Sequence, residues 1–241
     1  MVLVKTMQWY NGELLTADTI ALSKTDPGLL YGATVFTTLR AYGQHLDQWQ
    51  AHCQRLNESL KTFHWQPPNW EQVREGATLL ARSYSVIRIT LFPDGREWIT
   101  GRPLPPDLKQ RQEQGITAWV ADDSSFSRHL PEHKTGNYLG SWLALQRAKE
   151  KGAQEAILVD EKGNWLETST GNLWGWKDGI WWTPVVDQAL SGIARSRLLF
   201  FLRQQKIPVQ ETVWTPEFVK TLEGLGYSNC VVEVVPIHRV I

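Results

Sequence analysis

Four short stretches of this chain carry side chains whose type and setting suit chemistry. Lys134, in EHKTGNYL, closes a polar loop just ahead of an apolar segment. A lysine amine that loses part of its hydration is a nucleophile near neutral pH and condenses with a carbonyl to a Schiff base. Position alone describes a solvated loop lysine equally well. In LSGIAR, at 190–195, Gly192 lets the backbone approach a ligand. The amides of Ile193 and Ala194 would stand free at a helix start, which favours a phosphate. The same letters also describe an ordinary loop-to-helix junction. LETSTGNLW, at 166–174, sets one carboxylate, Glu167, before small hydroxyls, Thr170 among them, and Asn172. It reads either as a polar turn or as a carboxylate for a cationic ring nitrogen with hydroxyls reaching phosphate or ring oxygen. Arg55, in HCQRLNESL, sits in an amphipathic segment. Its planar fork suits a phosphate, and its stem suits a solvated helix face.

Several other chemistries are excluded. The chain has no G-x-x-x-x-G-K-[ST], no G-x-S-x-G and no H-E-x-x-H. The only histidines at ligand spacing are His129 and His133, and Pro131 breaks any helix between them, so no metal site is expected. Cys53 and Cys230 give no disulfide framework and no metal pair. Lys plus Arg is 25 and Asp plus Glu is 25, which lacks the basic excess of a general nucleic-acid binder. No apolar run approaches the length of a membrane span, and MVLVKTMQWYNG lacks the pattern of a secretory signal. A cytoplasmic protein acting on a small molecule is the expectation.

The elements that must position these residues follow from periodicity. Residues 7–16 read as two short strands about Asn11-Gly12, 33–42 as a strand rich in β-branched and aromatic residues, and 85–92 as an alternating strand ended by Pro93-Asp94-Gly95. Trp49, Cys53, Leu56, Leu60 and Phe63 recur at helical spacing over 47–63. Residues 70–82 suggest a second helix, weakened by Gly76. Further on, 116–121 and 155–160 read as strands, 138–151 as a helix stopped by Gly152, and 172–183 as two strands about Lys177-Asp178-Gly179. A helix over about 193–205 and one more strand at 229–237 complete the chain. Thirteen tryptophans, several of them clustered at Trp174, Trp176, Trp181 and Trp182, suit sheet and interface packing better than a ligand cage. The balance is α+β with much antiparallel sheet. A proline-rich charged stretch at 101–115 marks a change of texture. It places a small domain at 1–112, a linker at 113–125 and a larger domain at 126–241.

Taken together and in this order, the blocks YGATVFTTLRAY, HCQRLNESL, HKTGNYLGSWLALQRAKEKGAQEAILVDEKGNWLETSTGNLWGWKDGIWWTP, LSGIARSRLL and SNCVVEVVPI resemble the class IV aminotransferase family. That family of pyridoxal-phosphate enzymes holds branched-chain aminotransferases, D-amino-acid transaminases and aminodeoxychorismate lyases. The resemblance runs from about Trp9 to Pro236. It implies the two-domain fold of the D-amino-acid aminotransferase-like, fold type IV, enzymes, with the cofactor in the cleft between domains and a homodimer whose partner lends residues to the site. By the same resemblance Lys134 is the Schiff-base lysine and proton-transfer base, and Glu167 meets the pyridine nitrogen. Arg55 and the amides that come after Gly192, those of Ile193 and Ala194, take the phosphate. Tyr138 stands near the cofactor's phenolic oxygen, and Thr170 joins the cofactor-binding set.

One motif bears on the reaction. Branched-chain enzymes usually carry Phe-Glu-Gly where this chain has Phe36-Thr37-Thr38. The latter resembles aminodeoxychorismate lyases, whose second threonine is a catalytic-site hydroxyl. Neighbours on a strand face opposite ways, and Thr38 is expected on the site side. Arg88, Arg96, Asn229 and Phe36 are the expected substrate contacts. Arg88 on its alternating strand is also readable as a paired structural arginine. Gly32-Ala33-Thr34 departs from the lyase pattern toward the branched-chain one. The expectation is therefore a lyase that converts 4-amino-4-deoxychorismate to 4-aminobenzoate and pyruvate. A branched-chain or D-amino-acid transaminase is the alternative, and a non-catalytic relative of the fold a further one.

Overall fold

The computed structural model describes residues 7–126 and 128–241. Residues 1–6, part of the N-terminal stretch read above for a signal, lie outside the described residues. The chain forms two compact units. The first is built from residues up to Pro105 together with His133–Asn137, and the second from Pro106–Glu132 and Tyr138–Ile241. The stretch expected as a linker, 113–125, lies inside the second unit. The short segment that carries Lys134 belongs with the first.

In the first unit, β1 (Gln8–Tyr10), β2 (Glu13–Leu15), α1 (Pro27–Tyr31), β3 (Val35–Tyr42), β4 (His45–Leu46), α2 (Trp49–Thr62), α3 (Trp70–Ala81), β5 (Val86–Leu91) and β6 (Glu97–Arg102) come one after another. The strands make one sheet in the order β2-β1-β6-β5-β3-β4, with antiparallel neighbours. Strand periodicity sorts its two faces. Val35, Leu39 and Ala41 of β3 join Ile87, Ile89 and Leu91 of β5 and the apolar stripes of α2 and α3, Leu56, Leu60, Val73, Ala77 and Leu80, in one core. The opposite face of the same strands carries Phe36 and Thr38, and Thr38 lies directly across from Arg88.

Gly76 is a case where propensity misleads. A Cβ there would sit 2.4 Å from ring atoms of Trp9, so the glycine lets β1 lie against α3. Asn69 caps α3 with side-chain bonds to the amides of Glu71 and Gln72.

The second unit holds α4 (Leu108–Gln114), β7 (Ile116–Ala121), α5 (Leu139–Glu150), β8 (Glu155–Val159), β9 (Trp165–Thr168), β10 (Asn172–Lys177), β11 (Ile180–Pro184), α6 (Ile193–Gln204), β12 (Val209–Thr212), α7 (Pro216–Val219), β13 (Gly224–Asn229) and β14 (Glu233–Val240). Its mixed sheet runs β12-β11-β10-β13-β14-β7-β8-β9. Small residues of α5, Ala144 and Ala148, let it close on Trp119, Ala156 and Leu158. Leu199 and Leu202 of α6 pack on Trp174. The clustered tryptophans are partly cross-strand pairs. Trp176 of β10 faces Trp181 of β11 in register, edge to face at 5.2 Å.

The apolar run expected as one strand over 229–237 is a hairpin. Asn229 Oδ1 accepts from the amides of Val231 (2.8 Å) and Val232 (2.9 Å), and Glu233 takes a positive φ of 61°. An asparagine that bonds the backbone two residues on makes a turn even where the next residues are apolar.

Candidate active site

Lys134 is held as a piece of strand. Its carbonyl accepts from the Phe36 amide at 2.8 Å, and Thr135 bridges to Val35. The half-buried side chain places Nζ 4.7 Å from the centre of the Phe36 ring. The Arg88 guanidinium stacks on that ring at 3.7 Å. A third cation, Arg55, reaches Thr37 Oγ1 at 2.5 Å from α2. These positive groups favour an anionic ligand. Buried His52 feels them: burial first, then the charges of Arg55 and Lys134, pushes its pKa down to about 3.

Thr37 and Thr38 divide as strand geometry requires. Thr37 is fully buried on the helix side, where it meets His52 and Arg55. Thr38 is half-buried on the face that carries Phe36 and, across the register, Arg88.

In the second unit Glu167 lies at the end of β9, where its strand shifts register against β8. Its carboxylate is buried and doubly held: Oε1 accepts from Arg128 Nε at 2.8 Å and Oε2 from the Leu190 amide at 3.2 Å. Burial works against the charge of Arg128, yet Glu167 beside it gives a net rise in the arginine's pKa. The Arg128 guanidinium also lies 5.1 Å from the ring centre of Tyr138, the residue that opens α5.

Leu190 is gripped at both ends, because Asn172 Nδ2 donates to its carbonyl at 2.8 Å. Two residues on, Gly192 enters α6 with extended φ and ψ, and no side chain caps this helix end. A Cβ on Gly192 would meet Asn172 Oδ1 at 2.1 Å. The first amides of α6, those of Ile193 and Ala194, are thus left at a bare helix N-terminus. The helix is anchored from behind by buried Arg195, which donates to Thr183 Oγ1 (3.2 Å), the Pro184 carbonyl (2.9 Å) and Glu211 (2.6 Å).

Three residues expected at the site have internal work to do. All three nitrogens of Arg96 are engaged: Nε with Asp94 (2.7 Å), Nη1 with Tyr10 Oη (2.6 Å) and Nη2 with Asp26 (2.6 Å). Asp26 is the N-cap of α1, so Arg96 fixes that helix rather than offering a free fork. Asn229 uses its oxygen on the β13–β14 turn and its amide on Thr170. The Thr170 hydroxyl donates to Glu155, a fully buried carboxylate that also takes the Ser169 hydroxyl. Burial pushes the Glu155 pKa up, against the pull of those hydroxyl bonds.

Sequence reasoning gave Arg128 and His52 no role, and named Asn172 only as part of its motif. Arg128 had no signal in a polar loop. His52 and Arg55 share one face of α2 one turn apart, and that spacing was a usable clue.

A cavity of about 860 Å³ lies in the second unit beside Asp160, Asp187, His129 and Trp214. None of the expected cofactor-binding residues lines it. No group of three or more His, Cys, Asp or Glu suited to a metal exists among the described residues, and no described helix is long and apolar enough to cross a membrane.

Within the first unit, the Lys134 amine and the Arg55 guanidinium are of the types that suit an aldehyde and a phosphate. Within the second, the helix-start amides of α6 and the buried Glu167 carboxylate are of the types that suit a phosphate and a protonated ring nitrogen. Comparisons with known proteins bear on the family. The branched-chain-amino-acid aminotransferase of Pseudomonas aeruginosa is 29% identical over 266 residues, covering 96% of this chain and 84% of that protein. The crystal structure of the Escherichia coli branched-chain amino acid aminotransferase matches with a TM-score of 0.84 at 28% identity, covering 98% of this chain and 86% of that one. A hypothetical aminotransferase from Mycobacterium tuberculosis, solved in a PLP-bound form, shares the fold with a TM-score of 0.85 at 18% identity, covering 97% of this chain and 90% of that one. The family model for amino-transferase class IV matches residues 34–240. The chain therefore belongs to the class IV aminotransferases, with their two-sheet α+β fold type IV architecture and pyridoxal phosphate as cofactor.

Proposed function

We propose that this protein is an aminotransferase that moves an amino group between a small amino acid and a 2-keto acid. The observation that carries this reading is the likeness, across nearly the whole chain, to proteins named branched-chain-amino-acid aminotransferases. When bound, pyridoxal phosphate supplies an electron sink for the pair left on the substrate carbon. The rest is work for this chain's own residues.

Arg55 and the amides of Ile193 and Ala194 hold the phosphate, and Gly192 keeps the approach clear. Glu167 holds the proton on the ring nitrogen. Its two oxygens accept from Arg128 Nε and the Leu190 amide, which fixes the orientation of the carboxylate. Lys134 would hold the cofactor's aldehyde end and would move a proton at the substrate carbon bearing the amine. Tyr138 serves the phenolic oxygen. Phe36, Arg88 and Thr38 line the substrate side, with Arg88 taking a carboxylate.

A second reading rests on Thr38, whose hydroxyl shares the sheet face of Arg88 where branched-chain enzymes usually carry glycine. In that reading the enzyme is a lyase acting on 4-amino-4-deoxychorismate. One pair of assays separates the two. Loaded enzyme with branched-chain L-amino acids or D-alanine and 2-oxoglutarate should yield glutamate. Aminodeoxychorismate alone, with no keto acid, should yield little 4-aminobenzoate. The reverse outcome overturns the aminotransferase reading in favour of the lyase. Turnover of neither, with no borohydride-stable adduct on Lys134, makes the chain a non-catalytic relative.

A further inference from the structure

We propose that Thr37 and His52 are positioning residues that hold the Arg55 guanidinium in place for an anionic ligand, through a directed hydrogen-bond chain from Arg55 to Thr37 to His52. The inference rests on the reading of Arg55 as the phosphate ligand. It adds two residues to which neither the family resemblance nor the comparisons give a role.

Thr37 occupies a core position of β3, fully buried between Val35 and Leu39. An apolar residue would pack there at lower cost, and a buried hydroxyl persists only when bonded. Its two partners lie one turn apart on α2. Arginine has donors only, so Thr37 Oγ1 is the acceptor of the 2.5 Å bond from Arg55 Nη2. The one hydroxyl proton then points at His52 Nδ1, 2.6 Å away. Nδ1 must be the bare nitrogen, which puts the ring proton on Nε2. Burial and the two nearby cations keep the ring neutral, so it remains an acceptor. Every proton in the chain has one direction. The consequence falls on Arg55: one of its terminal nitrogens is tied to the sheet before any ligand arrives, which lowers the ordering cost of binding.

The test compares pyridoxal phosphate with pyridoxal, which lacks the phosphate, as ligands reconstituting the protein. Thr37→Val keeps the shape of the side chain and deletes both bonds. It should weaken pyridoxal phosphate about tenfold, the scale of one lost hydrogen bond to a charged group, and change pyridoxal less than about twofold. Thr37→Ser should restore the preference. His52→Asn, which keeps an acceptor near the Nδ1 position, should stay close to the parent, and His52→Leu should behave like Thr37→Val. Equal weakening of both ligands in Thr37→Val means general damage and overturns the proposal, as does no weakening. Arg55→Met separates this from the underlying reading. If Arg55→Met leaves the phosphate preference intact, Arg55 is not the phosphate ligand. If it abolishes the preference while Thr37→Val does not, the positioning claim alone fails. Nitrogen-15 NMR of the unmutated holoenzyme gives a check that needs no variant: a protonated His52 Nδ1 would sink the proposal.

Discussion

Replacing Arg128 with methionine tests whether the charge of Glu167 is built into the fold. The Nε–Oε1 separation is 2.8 Å, and the two side chains are 3% and 7% exposed. Removing one member of such a pair leaves a carboxylate in a dry site, and that typically costs about 3–5 kcal/mol. The Leu190 amide still bonds the other carboxylate oxygen at 3.2 Å, which places the expected loss near the lower end, about 3 kcal/mol. Methionine keeps the apolar stem, so little of that loss is packing. For a chain of this size the midpoint of thermal unfolding should fall by roughly 6–12 °C. Glu167→Gln in the same background removes the stranded charge. The double variant should therefore be more stable than the sum of the two single changes predicts, by about 2 kcal/mol. Urea unfolding of the apo-protein monitored by tryptophan fluorescence reads all four corners of the cycle. A loss below about 1 kcal/mol in Arg128→Met, or strict additivity in the double variant, would refute the reasoning. Glu167 would then owe its setting to the Leu190 amide and to water rather than to Arg128.

Three further outcomes are expected. Because the folded His52 pKa is held near 3 and the unfolded value is 6.5, the unfolded chain binds one more proton below pH 6.5. Stability should thus fall between pH 6.5 and 3 with a contribution of about 1.4 kcal/mol per pH unit, and His52→Asn should flatten that slope in acid unfolding titrations. Gly76→Ala should destabilise the protein by about 1 kcal/mol in chemical denaturation. The helical gain of about 1 kcal/mol is outweighed by forcing a methyl 2.4 Å from the Trp9 ring. Gly192→Val should displace Asn172 and lower affinity for inorganic phosphate as well as for pyridoxal phosphate, by about tenfold in competition binding, while Ser191→Ala should change neither.

Local period and local chemistry were legible in the sequence. The α2 stripe and the alternation of β5 come from spacing, the strand β3 and the turn at Asn11-Gly12 from residue type, and the structure has them. The hairpin at 230–232 was hidden because Cys230, Val231 and Val232 are good strand formers, while the deciding bond is made by the side chain before them. Gly76 looked like a flaw in a helix because its reason, Trp9, is remote in sequence.

The same division runs through the site. Residues read as ligand contacts were singled out because their chemistry is unusual for their surroundings: an amine beside an apolar helix, a lone carboxylate among hydroxyls, a glycine at a helix start. The residues that hold them were not. Arg128 looks like any loop arginine until it is seen beneath Glu167, and Asn172 like any strand-end amide until its grip on Leu190 is seen. Arg96 shows the opposite case: alone in the sequence it suits a carboxylate, and in the fold its nitrogens bond Asp26, Asp94 and Tyr10. A lone charged side chain in a sequence is a question about its partner, and partners are supplied by topology. The strand register that sets Thr38 across from Arg88 and turns Thr37 toward α2 gives adjacent identical residues opposite faces and different partners, which no property of threonine alone could decide.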